Sequence, residues 1–96
     1  MKAYVIYQGE VLDPEQYEVY KKAVAPNIQQ AGGRYLVRGG KCEALEGEAP
    51  QTRTVILEFP SKQAVLDWYR GAEYGEIRKL RDGAANATLY VVEGID

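Results

Sequence analysis

The chain contains no histidine and a single cysteine, Cys42. Serine or cysteine triads that rely on a histidine base are thereby excluded, as are histidine-ligated zinc and haem with a histidine axial ligand. One thiol cannot build a thiolate zinc site or an internal disulfide, and without a CxxC partner Cys42 reads as an ordinary strand residue. No metal and no cofactor is expected. Also missing is any apolar run long enough to cross a bilayer. Met1–Tyr7 begins like an export signal, but Gln8 and Glu10 break it early. With neither an export signal nor paired cysteines, the cytoplasm is the expected location. Basic charge is not in excess either: 12 Lys and Arg stand against 14 Asp and Glu, and the net charge is −2. That balance argues against a nucleic-acid partner. Gly32-Gly33 and Gly39-Gly40 do not form GxGxxG and neither pair precedes a helix, which removes a phosphate loop.

What is present reads as one domain over residues 1–96, with 46% hydrophobic residues. Residues 2–12 alternate as a first strand, with Ala3, Val5 and Tyr7 in one set and Tyr4, Ile6 and Gln8 in the other. Asp13 caps a helix that opens on Pro14, and Tyr17, Tyr20, Val24, Ile28 and Ala31 form its apolar stripe. Pro26 lies inside that pattern, where a kink is expected, and Gly32-Gly33 stops the helix. A second strand covers Arg34–Arg38. Gly39-Gly40 reads as a bulge, after which Lys41–Leu45 is expected to resume pairing. A loop at Glu46–Thr52 leads to a third strand, Arg53–Phe59. Ser61 caps a second helix carrying Ala64, Val65, Trp68 and Tyr69, Gly71 interrupts it, and a helical segment continues over Glu73–Gly83. The last strand is expected at Thr88–Glu93.

The order β-α-β-β-α-β is an α+β, ferredoxin-like plan: a four-stranded antiparallel sheet with helices on one face. Val5/Ile6, Val55/Ile56 and Val91/Val92 offer apolar side chains to both faces, although helices cover only one. A bare apolar sheet face exceeds what a monomer usually exposes. A second copy packed sheet to sheet, giving a two-fold homodimer, is therefore the expected partner.

Arg34 and Arg38 are the most informative charges. Strict alternation would place both on one face with Leu36, while Tyr35 and Val37 take the other. Two cations beside a leucine call for an anion. Either they pair across strands, with Arg38 opposite Glu58, or they anchor the acidic group of a ligand. The aromatic set gives a parallel choice. Eight tyrosines accompany Trp68 and Phe59, and Tyr17, Tyr20, Trp68 and Tyr74 would line a small-molecule pocket between helices and sheet or simply fill the core. Glu58 is the candidate for proton transfer, and Asp13 reads as a cap. Arg78 and Arg81 share a helical face at i,i+3 that reads as solvated.

Several segments together resemble the family of domain of unknown function 1330, within the dimeric α/β-barrel superfamily. They are Ala3–Ile6, Asp13–Glu15 with Tyr17 and Tyr20, Gly32–Gly40, Glu58–Ser61, Trp68-Tyr69, Glu73-Tyr74, Arg78, Arg81 and Val92–Gly94. The resemblance implies a ferredoxin-like subunit that dimerises through its sheets. Its wider superfamily implies cofactor-independent monooxygenases and isomerases, with histidine-dependent relatives a poor guide for this chain. On that basis the expected function is binding of a small anionic or aromatic metabolite. Cofactor-independent catalysis of the monooxygenase or isomerase type extends that reading, and the alternative to it is a non-catalytic ligand-binding or structural dimer.

Overall fold

Alternation along the first strand is read out directly in burial. In the computed structural model, which describes residues 1–50 and 52–95, β1 (Ala3–Val11) buries Ala3, Val5 and Tyr7 and leaves Tyr4, Ile6 and Gln8 half-buried. Asp13 Oδ1 then accepts from the Gln16 N–H at 3.2 Å, and α1 (Pro14–Gln30) runs as a single element through Pro26. β2 (Arg34–Arg38) and β3 (Arg53–Phe59) follow. Ser61 Oγ accepts from the Ala64 N–H at 3.1 Å to start α2 (Lys62–Arg70), and α3 (Ala72–Lys79) begins after Gly71. β4 (Ala85–Glu93) closes the chain.

The strands form one antiparallel sheet in the order β2-β3-β1-β4, with β1 and β3 central. All three helices lie on one face of this α+β, ferredoxin-like sheet. Phe59, Trp68 and Tyr74 are the centre of the core between them, with ring centroids 5.4 Å (Phe59–Trp68) and 4.4 Å (Trp68–Tyr74) apart. Rings at such offsets add directional attraction to the burial of their area. The opposite face is open. Tyr90 is 53% and Val92 48% exposed there, beside Tyr4, Ile6 and Ile56.

Four boundaries and registers differ from the sequence reading. β4 begins at Ala85 rather than Thr88, because Ala85, Asn86 and Ala87 pair with Val11, Glu10 and Gly9 despite weak strand propensity. α3 ends at Lys79 instead of reaching Gly83, and short turns closed by Arg81 N→Arg78 O and Ala84 N→Arg81 O take over. Lys41–Leu45 forms no strand and is exposed throughout. Gly39 still donates to Thr54 O at 2.8 Å, but its φ of +79° turns the chain off the sheet, and β3 begins only at Arg53. Cys42 is accordingly an exposed loop residue. The loop expected at Glu46–Thr52 contains Gln51, which lies outside the described residues.

The fourth difference has the largest consequence. The bulge is in β2 itself and not at Gly39-Gly40: Tyr35 pairs with Leu57, Val37 with Ile56, and Leu36 is the extra residue between them. The alternation is shifted by one beyond that point, so Arg38 stands opposite Val55 where an unbulged strand would bring it to Thr54. The Glu58 partner expected for Arg38 is lost because the whole pairing is set four residues earlier, with Glu58 opposite Arg34. Arg34 keeps its place opposite Glu58. The two arginines therefore lie on opposite faces of the sheet.

Candidate functional site

On the open face, Arg34 has its counter-ion. Its Nε donates to Glu58 Oε1 at 3.1 Å, and Lys2 Nζ lies 3.6 Å from the same oxygen. The Arg34 hydrogen bond, opposed by partial desolvation and helped by Lys2, holds the Glu58 carboxyl below the usual carboxylate range. Arg34 thus meets the structural role considered for it, and Glu58, the candidate for proton transfer, is engaged on the face away from the helices.

On the helix face, Arg38 has no carboxylate. Its guanidinium stacks on the Tyr35 ring at 4.4 Å from the centroid, and the pair stands at the mouth of a cavity of about 40 Å³ between α1 and the sheet. Tyr7, Tyr17, Tyr20 and Trp68 wall that cavity, and Lys21, Arg38 and Arg53 are its cations; no Asp or Glu lines it. Lys21 is partnered by Glu18 at 3.3 Å. Arg38 and Arg53 form no ion pair among the described residues. The Arg53 guanidinium instead lies 6.0 Å from the Tyr17 ring centroid, with its Nε buried and without a hydrogen-bond partner. It packs so closely under Gly39 that a Cβ there would collide with Nη1.

The hydroxyls of the wall are tied to one another. Tyr17 donates to Tyr7 at 3.1 Å, Tyr20 and Tyr74 share a bond of 2.8 Å, and Trp68 Nε1 donates to Asn27 Oδ1 at 2.7 Å. Burial, reinforced by the Tyr17 hydrogen bond, pushes the Tyr7 phenol well above its ordinary value, and burial does the same to Tyr20 and Tyr74. Burial also raises Tyr35, against the pull of Arg38. These phenols are neutral hydrogen-bonding groups at ordinary pH.

Of the residues singled out from sequence, the structure brings Arg38, Tyr17, Tyr20 and Trp68 together around the cavity. Tyr74 lies behind them, fully buried, and Arg34 and Glu58 occupy the other face. Arg53, Tyr7 and Lys21 were missed. Arg53 shares the parity of Val55 and Leu57, which would have placed it on the buried face. Arg81, read as solvated, is inside: its guanidinium lies 5.7 Å from the Tyr7 ring and 5.4 Å from the Tyr20 ring. Because α3 has ended before it, the i,i+3 relation with Arg78 does not apply.

A family model described as domain of unknown function (DUF1330) matches residues 2–95. No match was found among curated proteins. Among solved structures, the chain is similar to a protein of unknown function from Rhodopseudomonas palustris, with 21% identity over 99% of this chain and 83% of that one, at a TM-score of 0.76. It is also similar to SnoaB, a cofactor-independent oxygenase from Streptomyces nogalater, with 8% identity over 99% and 94% of the two chains and a TM-score of 0.67. A protein from Nitrosomonas europaea, provisionally assigned as an antibiotic biosynthesis monooxygenase, shares 12% identity over 97% and 90% at a TM-score of 0.57. At such identities the likeness is one of fold: the ferredoxin-like dimeric α/β barrel.

Proposed function

This chain belongs to the DUF1330 family, and we propose that it binds a small anionic, aromatic metabolite between its helices and its sheet. The observation that carries the reading is the unpaired Arg38, turned by the bulge onto a tyrosine-walled cavity that offers cations and no carboxylate. A guanidinium in such a place fits a carboxylate bidentately. The aromatic walls suit a ring.

The cavity of about 40 Å³ has room for one or two waters, not for a ring. Tyr35 and Arg38 also border an outer groove of about 420 Å³ at the β2 edge of the sheet, lined further by Ala25, Pro26, Gln29 and Arg34, whose exposed side chain reaches the groove from the edge. Swinging the Tyr35–Arg38 stack aside joins the two spaces and opens the site. Chemistry of the cofactor-independent oxygenase or isomerase kind is the turnover this site would support. The structural likeness to SnoaB agrees with it but, at 8% identity, does not carry it. The working unit is a homodimer in which a second copy covers Tyr4, Ile6, Ile56, Tyr90 and Val92 on the open face.

A thermal-shift series with aromatic carboxylates on the wild type and Arg38→Ala tests the binding reading. A ligand at about a hundred times its dissociation constant stabilises by about 2.7 kcal/mol, a visible shift in melting temperature. The shift should appear in the wild type and shrink in Arg38→Ala. Equal shifts in both proteins would remove Arg38 from the site.

A further inference from the structure

Arg53 Nε and Arg81 Nη1 are the buried side-chain polar atoms that have no hydrogen-bond partner among the described residues. Both belong to cations, and both flank the same pair of phenols. The Arg53 guanidinium is 6.0 Å from the Tyr17 ring and the Arg81 guanidinium 5.7 Å from the Tyr7 ring, and the two hydroxyls are 3.1 Å apart. A count of donors and acceptors gives the chemistry. Tyr17 donates to Tyr7, which leaves the Tyr7 proton with no acceptor among the described residues. The Tyr20–Tyr74 pair beside Arg81 likewise has two protons and one bond between its oxygens. Neither Arg53 nor Arg81 forms an ion pair among the described residues. Tyr7, Tyr17 and Arg53 line the cavity, while Arg81 lies outside the lining, beyond the Tyr7 and Tyr20 rings. The cavity is therefore edged by the Tyr7 proton and Arg53 Nε as donors without an acceptor, and leaving buried donors unmet is costly.

The backbone is shaped to keep the Tyr7 hydroxyl there. The Tyr7 ring leans along β1 so that its oxygen lies over Gly9, where a Cβ would come within 2.5 Å of it. Gly9 is the ladder partner of Arg53. A side chain at position 9 would evict the hydroxyl from its place beside Tyr17.

We propose that Tyr7, Tyr17 and Arg53 form an oxyanion site, with Arg81 supporting Tyr7 from outside the cavity, and that the ligand is a phenol or enol held there as its anion. The space of about 40 Å³ suits the ionised oxygen, while the ring takes the place vacated by the Tyr35–Arg38 stack. The proposal rests on the cavity being a ligand site and adds which atom of the ligand enters first. Donors fixed in a water-poor pocket stabilise a localised negative charge far better than solvent-exposed ones. Arg81, in the turn after α3, is a positioning residue in this scheme, acting through Tyr7.

The test uses para-nitrophenol, which is colourless as the phenol and yellow as the phenolate, with the protein at a pH about one unit below the free probe's pKa. Wild type should bind the probe and turn it yellow, an increase of about tenfold in the phenolate-to-phenol ratio, equivalent to one pKa unit. Tyr7→Phe, which keeps the ring and the packing, should bind it with most of that colour lost, and Arg81→Gln should do the same. Arg38→Ala should bind more weakly yet leave the bound probe yellow. Probe bound by the wild type as colourless phenol, or equally yellow in Tyr7→Phe, would overturn the oxyanion site while leaving the cavity reading intact. No binding of para-nitrophenol or para-hydroxybenzoate by the wild type would overturn both.

Discussion

Arg34 and Arg38 are four residues apart on one short strand, and the two faces of the sheet treat them oppositely. On the open face Arg34 and Lys2 converge on a single Glu58 oxygen. On the helix face Arg38, Arg53 and Arg81 have rings for neighbours and no carboxylate. Charge that is neutralised within the subunit belongs to its architecture. Charge that is left without a counter-ion beside aromatic rings, as in exposed Arg38 and half-buried Arg53 and Arg81, is set up for something that comes and goes.

The contrast between faces can be broken most forcefully at the core. Phe59, 1% exposed and stacked on Trp68, should lose about 3–5 kcal/mol on truncation to Ala, whereas Val92→Ala, at a position 48% exposed, should cost under about 1 kcal/mol in a dilute monomer. Urea unfolding measures both, and similar costs would deny that the faces differ. If the open face is a dimer contact, Val92→Asp should leave the subunit folded and halve its mass in sedimentation.

Gly9→Ala comes next. The added methyl meets the Tyr7 hydroxyl at 2.5 Å and should destabilise by about 1–3 kcal/mol, and Tyr7→Phe in the same background should recover part of it. A fully stable Gly9→Ala protein would show that the hydroxyl is free to leave.

The two faces should also fail at opposite ends of the pH scale. Tyr7, Tyr20, Tyr35 and Tyr74 have native pKa values raised above the ordinary 10.0, so their contribution is complete below pH 10 and is lost as pH climbs beyond it. Glu58 has a native value below 4.5, so its contribution is complete above that pH and fades as pH falls through the lowered value. Tyr20→Phe should soften the alkaline limb alone. The smallest effect is expected from Arg34→Ala, which should let the Glu58 pKa rise toward 4.5 in a carboxyl NMR titration, while Arg38→Ala leaves it unmoved. Movement in both variants would put Arg38 back beside Glu58.

Much of this fold was legible because its signals are local. Asp13 and Ser61 announce their helices within three residues, and alternation from Ala3 to Tyr7 and from Arg53 to Phe59 marks strands with one buried face. The ferredoxin-like plan and the two-sided apolar strands followed from those. The candidate site was legible only in its residue types. Where Arg38 points depends on how β2 pairs with β3, a relation between segments some twenty residues apart that no window around Arg38 contains. Arg81 was hidden for a related reason: helical spacing was extended past Lys79 into turns where it has no meaning. Lys41–Leu45 holds Lys, Glu and Ala, which are poor strand formers, and Gly39 at a φ of +79° turns the chain off the sheet just before it.

The extra residue at Leu36 bears on how this family can change over time. An insertion or deletion of one residue within a regular strand inverts every side chain beyond it, and purifying selection normally removes such events. Here an even spacing between the two arginines has the effect of an odd one, because Leu36 is left out of the pairing. A lineage that loses Leu36 would present its arginines three apart yet keep each on its present face. A lineage that straightens the strand while keeping all five residues would move the second arginine to the open side and forfeit the site. Sequence alignments that place gaps by residue identity would score the first lineage as divergent and the second as conserved, the reverse of what the pairing dictates.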